Sequence, residues 1–212
     1  MEAASKTLHT VADTSNKCQM NSHKKVILII DPCINPDGRD RYANSHLLTG
    51  NLIPDVDAIT REHREPWPGG RTNHYYHDLN RDWVWQSQQE SQQRLKLYNQ
   101  WLPHVHVDYH EQSYNEPYYF APAVEPYHEL ITPWQKEFQQ IIGQNNATSF
   151  DHNQLLYFRN EEFDLLYPGF GDTYPIFNGA LGMTYEKGGS GAGGVAVKTS
   201  ATDTLILKER LE

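Results

Sequence analysis

The sequence predicts a single α/β domain. A β-branched run at 26–30, two stretches of alternating apolar and polar residues, and two longer stretches with apolar residues at helical spacing carry that expectation. One core is enough for 212 residues, and 38% hydrophobic with 12% aromatic content fits one compact domain, 1–212, better than two small ones.

Lys25 to Asp31 reads as a buried strand, halted by Pro32 and followed by the turn-forming Asn35-Pro36-Asp37-Gly38. From Arg39 to Asn80 the chain is rich in Pro, Gly, Asn and charge without a sustained period, which predicts a long functional loop. Trp83 to Leu102 carries Trp83, Leu95, Leu97, Tyr98, Trp101 and Leu102 among Gln and Glu, the pattern of a helix with one buried face, and Pro103 stops it. Val105, Val107 and Tyr109 then alternate with His106 and Asp108 in a strand ending near His110.

A second helix starts with Thr132 as N-cap and Pro133 at its first position; Trp134, Phe138, Ile141 and Ile142 share a face, and Asn145 and Asn146 close it. Leu181, Met183 and Tyr185 alternate with Gly182, Thr184 and Glu186 in a strand that ends at Glu186 and runs into the glycine-rich segment from Gly188 to Gly194. A last helix is expected from about Asp203, carrying Leu205, Ile206 and Leu207 and continuing past Glu212.

Composition removes several function classes. The longest apolar run, Val26 to Ile30, is far short of the roughly 20 residues that cross a bilayer. Acidic residues outnumber basic ones by 27 to 18, for a formal charge of −9, and the basic residues form no stripe, which argues against nucleic-acid binding. Cys18 and Cys33 make neither a disulfide framework nor a thiolate metal site. The first residues lack the basic and apolar regions of a signal peptide.

His110 and Glu186 fall at the ends of expected strands, where sites gather in open α/β sheets. Either alone is more often a hydrogen-bonded or solvated surface residue. Ile34-Asn35-Pro36-Asp37-Gly38, Asp78-Leu79-Asn80-Arg81-Asp82-Trp83, Asp108-Tyr109-His110-Glu111-Gln112 and Met183-Thr184-Tyr185-Glu186 change those odds together. In this order and spacing they resemble the zinc carboxypeptidase family of exopeptidases, from about Lys25 to about Gly189.

The resemblance implies a mixed, mostly parallel central sheet flanked by helices, and zinc-dependent hydrolysis of a C-terminal peptide or related amide bond by metal-activated water. It matches His110 to the family's third zinc ligand and Glu186 to its general base. Arg81, by bidentate pairing, and Asn80, by a further hydrogen bond, would hold the substrate's terminal carboxylate. Arg71, chosen over Arg61 and Arg64, would polarise the scissile carbonyl. Tyr167, with Tyr174 as the alternative, would close over the substrate, and Asp172, 14 residues before Glu186, would face its side chain.

The family's His-x-x-Glu pair is absent before the first strand; Glu2 resembles its Glu, with the first His and the opening strands missing. A catalytic zinc needs three protein ligands, so weak or absent zinc and an inactive chain are expected, although His9, His23, His74 and His77 are available as substitutes. The lost strands would expose a raw sheet edge that favours oligomerisation. The implied partner is a peptide with a free C-terminal carboxylate, and the resemblance implies a bacterial protein, periplasmic or secreted. The competing expectation is a non-catalytic peptide- or glycan-binding module on the same fold.

Overall fold

The two alternating stretches form the two long, paired strands of the main sheet. The structure, a computed structural model, describes residues 2–13, 25–190, 196–201 and 203–211, with the side chains of Glu2, Ala3, Ser190, Arg210 and Leu211 outside that set. In chain order come α1 (Glu2–Ala12), α2 (Pro36–Thr49), α3 (Gln89–Trp101), β1 (Val105–Ser113), β2 (Tyr118–Tyr119), β3 (Val124–Tyr127), α4 (Pro133–His152), β4 (Tyr157–Phe158), β5 (Asp164–Leu165), α5 (Thr173–Phe177), β6 (Leu181–Ser190), β7 (Ala196–Lys198), β8 (Thr204–Ile206) and α6 (Leu207–Leu211).

The main sheet has the order β1-β6-β2-β4. β1 and β6 are parallel, with Val105 opposite Leu181 and His110 opposite Glu186. β2 is antiparallel to β6, and β4 is parallel to β2. The architecture is therefore mixed α/β with a mostly parallel central sheet flanked by helices. β6 is buried or half-buried along its described length, as an interior strand covered on both faces must be. One cover is α4, whose Gln139 Nε2 donates to the Gly182 carbonyl at 2.9 Å and whose Asn146 Nδ2 donates to the Tyr185 hydroxyl at 2.8 Å. α4 packs this closely because Gly143 lies against the Ala121 carbonyl and Pro122, where a Cβ has no room. Thr184 bonds instead to Asp172, and the two-residue strand period puts Glu186 on that same face.

Two apolar clusters anchor the layers. Ala123, Ile131, Leu165 and Ile176 pack with Tyr127, and Trp83, Leu95 and Tyr98 pack with Tyr174. The N-cap of α4 forms as expected: Thr132 accepts from Gln135 N while Gln135 Oε1 accepts from Thr132 N.

Six expectations need correction. β1 and β6 do not end near His110 and at Glu186 but run on to Ser113 and Ser190, so both residues lie within their strands. Residues 26–31 form no strand: Val26, Ile27, Leu28 and Ile29 are 52–74% exposed, because an apolar run is buried as a strand only where a neighbour supplies a ladder, and none lies beside it among the described residues. Asn35-Pro36-Asp37-Gly38 opens α2 instead of a turn, since Asn35 Oδ1 accepts from Gly38 N at 3.0 Å and Pro36 suits the first helical position. α3 begins at Gln89, six residues after Trp83, because the Asp82 carboxylate takes the amides of Ser87 and Gln88 and holds 82–88 as a turn. α4 runs to His152, and its apolar stripe faces outward: Trp134, Phe138 and Ile141 are exposed while Gln135, Gln139, Gly143 and Ala147 are buried. The buried glutamines have no apolar signature, yet Gln135 Nε2 satisfies the carbonyls of Ile176 and Ala180, both at 2.9 Å. Finally, Thr204–Ile206 is a strand paired with β7, and only 207–211 is helical.

Candidate functional site

His110 and Glu186 occupy opposed positions on adjacent parallel strands, so their side chains leave the same face of the sheet. Glu186 is 8% exposed, and its Oε2 has no hydrogen-bond partner among the described residues. Burial raises its carboxyl from 4.5 to about 7; Asp108 and Asp172 add to the rise, and His110 and Arg71 oppose it. For His110, burial alone lowers the imidazole, but the hydrogen bond and charge of Asp108, with the charge of Glu186, raise it on balance. A carboxyl raised in this way can take up a proton near neutrality.

The 3₁₀ turn Leu79–Arg81 brings the next groups in. Asp78 caps it, accepting from Asn80 N at 2.9 Å, and its other carboxylate oxygen accepts from Arg71 Nε at 2.9 Å. Asn80 Oδ1 accepts from Gly171 N at 2.7 Å, so its Nδ2 turns toward His110 Nε2, 3.1 Å away. The Arg71 side chain is half exposed, and its charge reaches both His110 and Glu186. Arg81, also half exposed, donates to the Asn80 carbonyl at 3.0 Å and stacks 4.4 Å over the Phe170 ring. The Arg71 guanidinium and the oriented Asn80 amide thus lie by the His110–Glu186 pair, with Arg81 on the adjoining turn, donors suited to an anionic ligand.

Tyr167 lies beside that turn: its hydroxyl accepts from Trp85 Nε1 at 2.7 Å and donates to the Arg81 carbonyl at 3.4 Å. Tyr174 instead packs against Trp83 and Tyr98, which makes it a core residue. Asp172 is 6% exposed, with one oxygen held by the Thr173 hydroxyl and the other by the Thr184 hydroxyl; it braces α5 against β6 and presents no free oxygen to a ligand. Glu2 lies in α1 with its side chain outside the described set, and His23 lies outside the described residues. His74 packs edge-on against Tyr75.

Two residues had not been singled out from the sequence. Asp108 Oδ2 is 2.7 Å from His110 Nε2, and the period of two on a strand was the signal that could have shown them on one face. Gly171 carried no local signal, because its role comes from contacts 63 and 91 residues away in the chain with Asp108 and Asn80.

No family model, curated protein or solved structure matches this chain. Among the described residues no helix is long and apolar enough to cross a membrane. Nor do they contain a group of three or more His, Cys, Asp or Glu side chains placed to hold a metal ion. A catalytic zinc takes three protein ligands, so the imidazole of His110, even with the free oxygen of Glu186 nearby, does not make a complete zinc centre from the described residues.

Proposed function

We propose that this face of the sheet is a carboxypeptidase-type hydrolase site that binds the C-terminal carboxylate of a peptide and acts on the adjoining amide bond. The observation that carries the reading is the opposition of His110 and the buried, unpartnered Glu186 carboxylate on β1 and β6. Asn80 and Arg81 anchor the substrate carboxylate, Arg71 stabilises negative charge as it develops on the carbonyl oxygen, and Tyr167 covers the bound residue. Glu186 takes a proton from the attacking water, a role to which a carboxyl near neutrality is matched. In this reading His110 would supply one ligand to a zinc ion whose ligand set is incomplete among the described residues, so hydrolysis by this chain itself is expected to be weak or absent. The open edge of β1 offers pairing to a second copy.

Titration with a short peptide bearing a free C-terminal carboxylate, alongside its C-terminal amide, tests the anchor. The carboxylate form should bind, and Arg81→Gln should weaken it by roughly tenfold or more, the worth of one charge-assisted hydrogen bond. Equal binding of the amide would sink the reading.

A second reading, a non-catalytic peptide- or glycan-binding module, is favoured by the lack of a three-ligand group among the described residues. A surface basin of about 520 Å³ lined by Asp37, Asp40, Arg41, Asn44 and Tyr76, with Trp67 stacked on Tyr76 at 5.4 Å, suits it. Peptide or glycan binding without hydrolysis at any zinc concentration distinguishes it.

A further inference from the structure

We propose that Asp108 is a positioning residue that fixes His110 as the tautomer protonated on Nε2 and thereby keeps the amide of Asn80 free for a ligand. The Asn80 part rests on the anchor reading above; the tautomer part stands without it.

One nitrogen has two competing neighbours. His110 Nε2 is 2.7 Å from Asp108 Oδ2 and 3.1 Å from Asn80 Nδ2. Toward the carboxylate it must carry a hydrogen; toward the amide NH2 it must offer a lone pair. It cannot do both. Nor can Asn80 escape the conflict by turning over, because its Oδ1 is committed to Gly171 N at 2.7 Å, which leaves the NH2 end facing the imidazole.

The carboxylate wins the competition. Its contact is the shorter one and is charge-assisted, about twice as strong as a neutral hydrogen bond. The Asp108 side chain is 8% exposed, and it lies in the field of Arg94, whose guanidinium stacks 4.1 Å over Trp83. Gly171 makes the arrangement possible twice over. Its N–H orients Asn80, and its missing side chain leaves room for Asp108 Oδ2 and Trp83 Nε1, both of which a Cβ would meet.

Two consequences follow from Nε2–H. The lone pair of His110 is placed on Nδ1, which becomes the nitrogen open to a further partner. The Asn80 NH2 loses its only acceptor among the described residues, so its hydrogens remain available to an incoming oxygen. Without Asp108, Nε2 would accept from Asn80, and anchor and imidazole would lock onto each other.

Long-range proton–nitrogen NMR on the full chain, above the imidazole's titration, reads the tautomer directly, with His110→Ala assigning the signal. Wild type should show the Nε2–H form. Asp108→Leu should switch it to Nδ1–H, and adding Asn80→Ala to that variant should abolish the preference. Asp108→Leu should also weaken the carboxylate peptide by about tenfold, the worth of breaking one hydrogen bond. A wild-type Nδ1–H tautomer, or an Asp108→Leu protein that keeps Nε2–H, overturns the proposal. If Asp108→Leu does not fold, the wild-type spectrum alone decides. A correct tautomer with no carboxylate binding refutes the anchor reading and leaves the role of Asp108 intact.

Discussion

Glu186 carries a cost that pH exposes. Its folded pKa, about 7, lies above its ordinary value of 4.5, so its contribution to stability is full below the ordinary value and is lost as pH rises through about 7. Glu186→Gln removes that loss. Urea unfolding of the two proteins should show the variant gaining on wild type by roughly 1–3 kcal/mol between about pH 5 and about pH 8, and a difference that does not change with pH would contradict the buried, unpartnered state of the carboxylate. At this scale short motifs single out His110, Glu186, Asn80, Arg81, Arg71 and Tyr167 as candidates, although His110 and Glu186 lie within β1 and β6 and not at their ends. The structure brings His110, Glu186, Asn80 and Arg71 near one another, while Arg81 and Tyr167 meet at the Leu79–Arg81 turn. Asp172 was legible as a position but not as an environment: the two threonine hydroxyls that occupy its oxygens lie at 173 and 184, and only folding brings Thr184 to it.

Among the elements, α4 shows where pattern and packing diverge. Its start was readable because a capping box is local chemistry, four residues long. Thr132→Ala should cost about 1 kcal/mol in urea unfolding, the usual worth of an N-cap. Its buried face was not readable, since Gln135 and Gln139 are buried by the carbonyls they satisfy on α5 and β6 and not by hydrophobicity. Gln135→Leu removes the Gln135 donor from the carbonyls of Ile176, which keeps the Gly179 N–H, and Ala180, and should cost about 1–3 kcal/mol by the same measurement. Trp134→Ser, on the exposed stripe, should change stability by less than about 0.5 kcal/mol. The strands β1 and β6 were legible because period-two alternation is strong over six residues, whereas the paired strands β7 and β8, of three residues each, are too short to leave a period.

Across the described residues, the mixed sheet leaves β1 at its edge and the apolar residues 26–29 exposed. Among the described residues no strand pairs with the outer side of the nine-residue β1, an edge of the kind that can pair with a strand of another copy. The protein is expected to self-associate in sedimentation equilibrium, and Ile27→Lys should shift it toward monomer; a wild type that stays monomeric at all concentrations would contradict this. The long-range register that sets His110 opposite Glu186 could not be read from either strand alone, because a slip of one residue would send one side chain to the other face.

That opposition is the centre of the functional reading, and a zinc titration by calorimetry on chelator-stripped protein tests it most directly. Heat from one site that disappears in His110→Ala and persists in His74→Ala is the expected result, with an affinity well below that of a three-ligand centre. A titration unchanged by His110→Ala would show that His110 is no ligand, and the hydrolase reading of this face would fall with it.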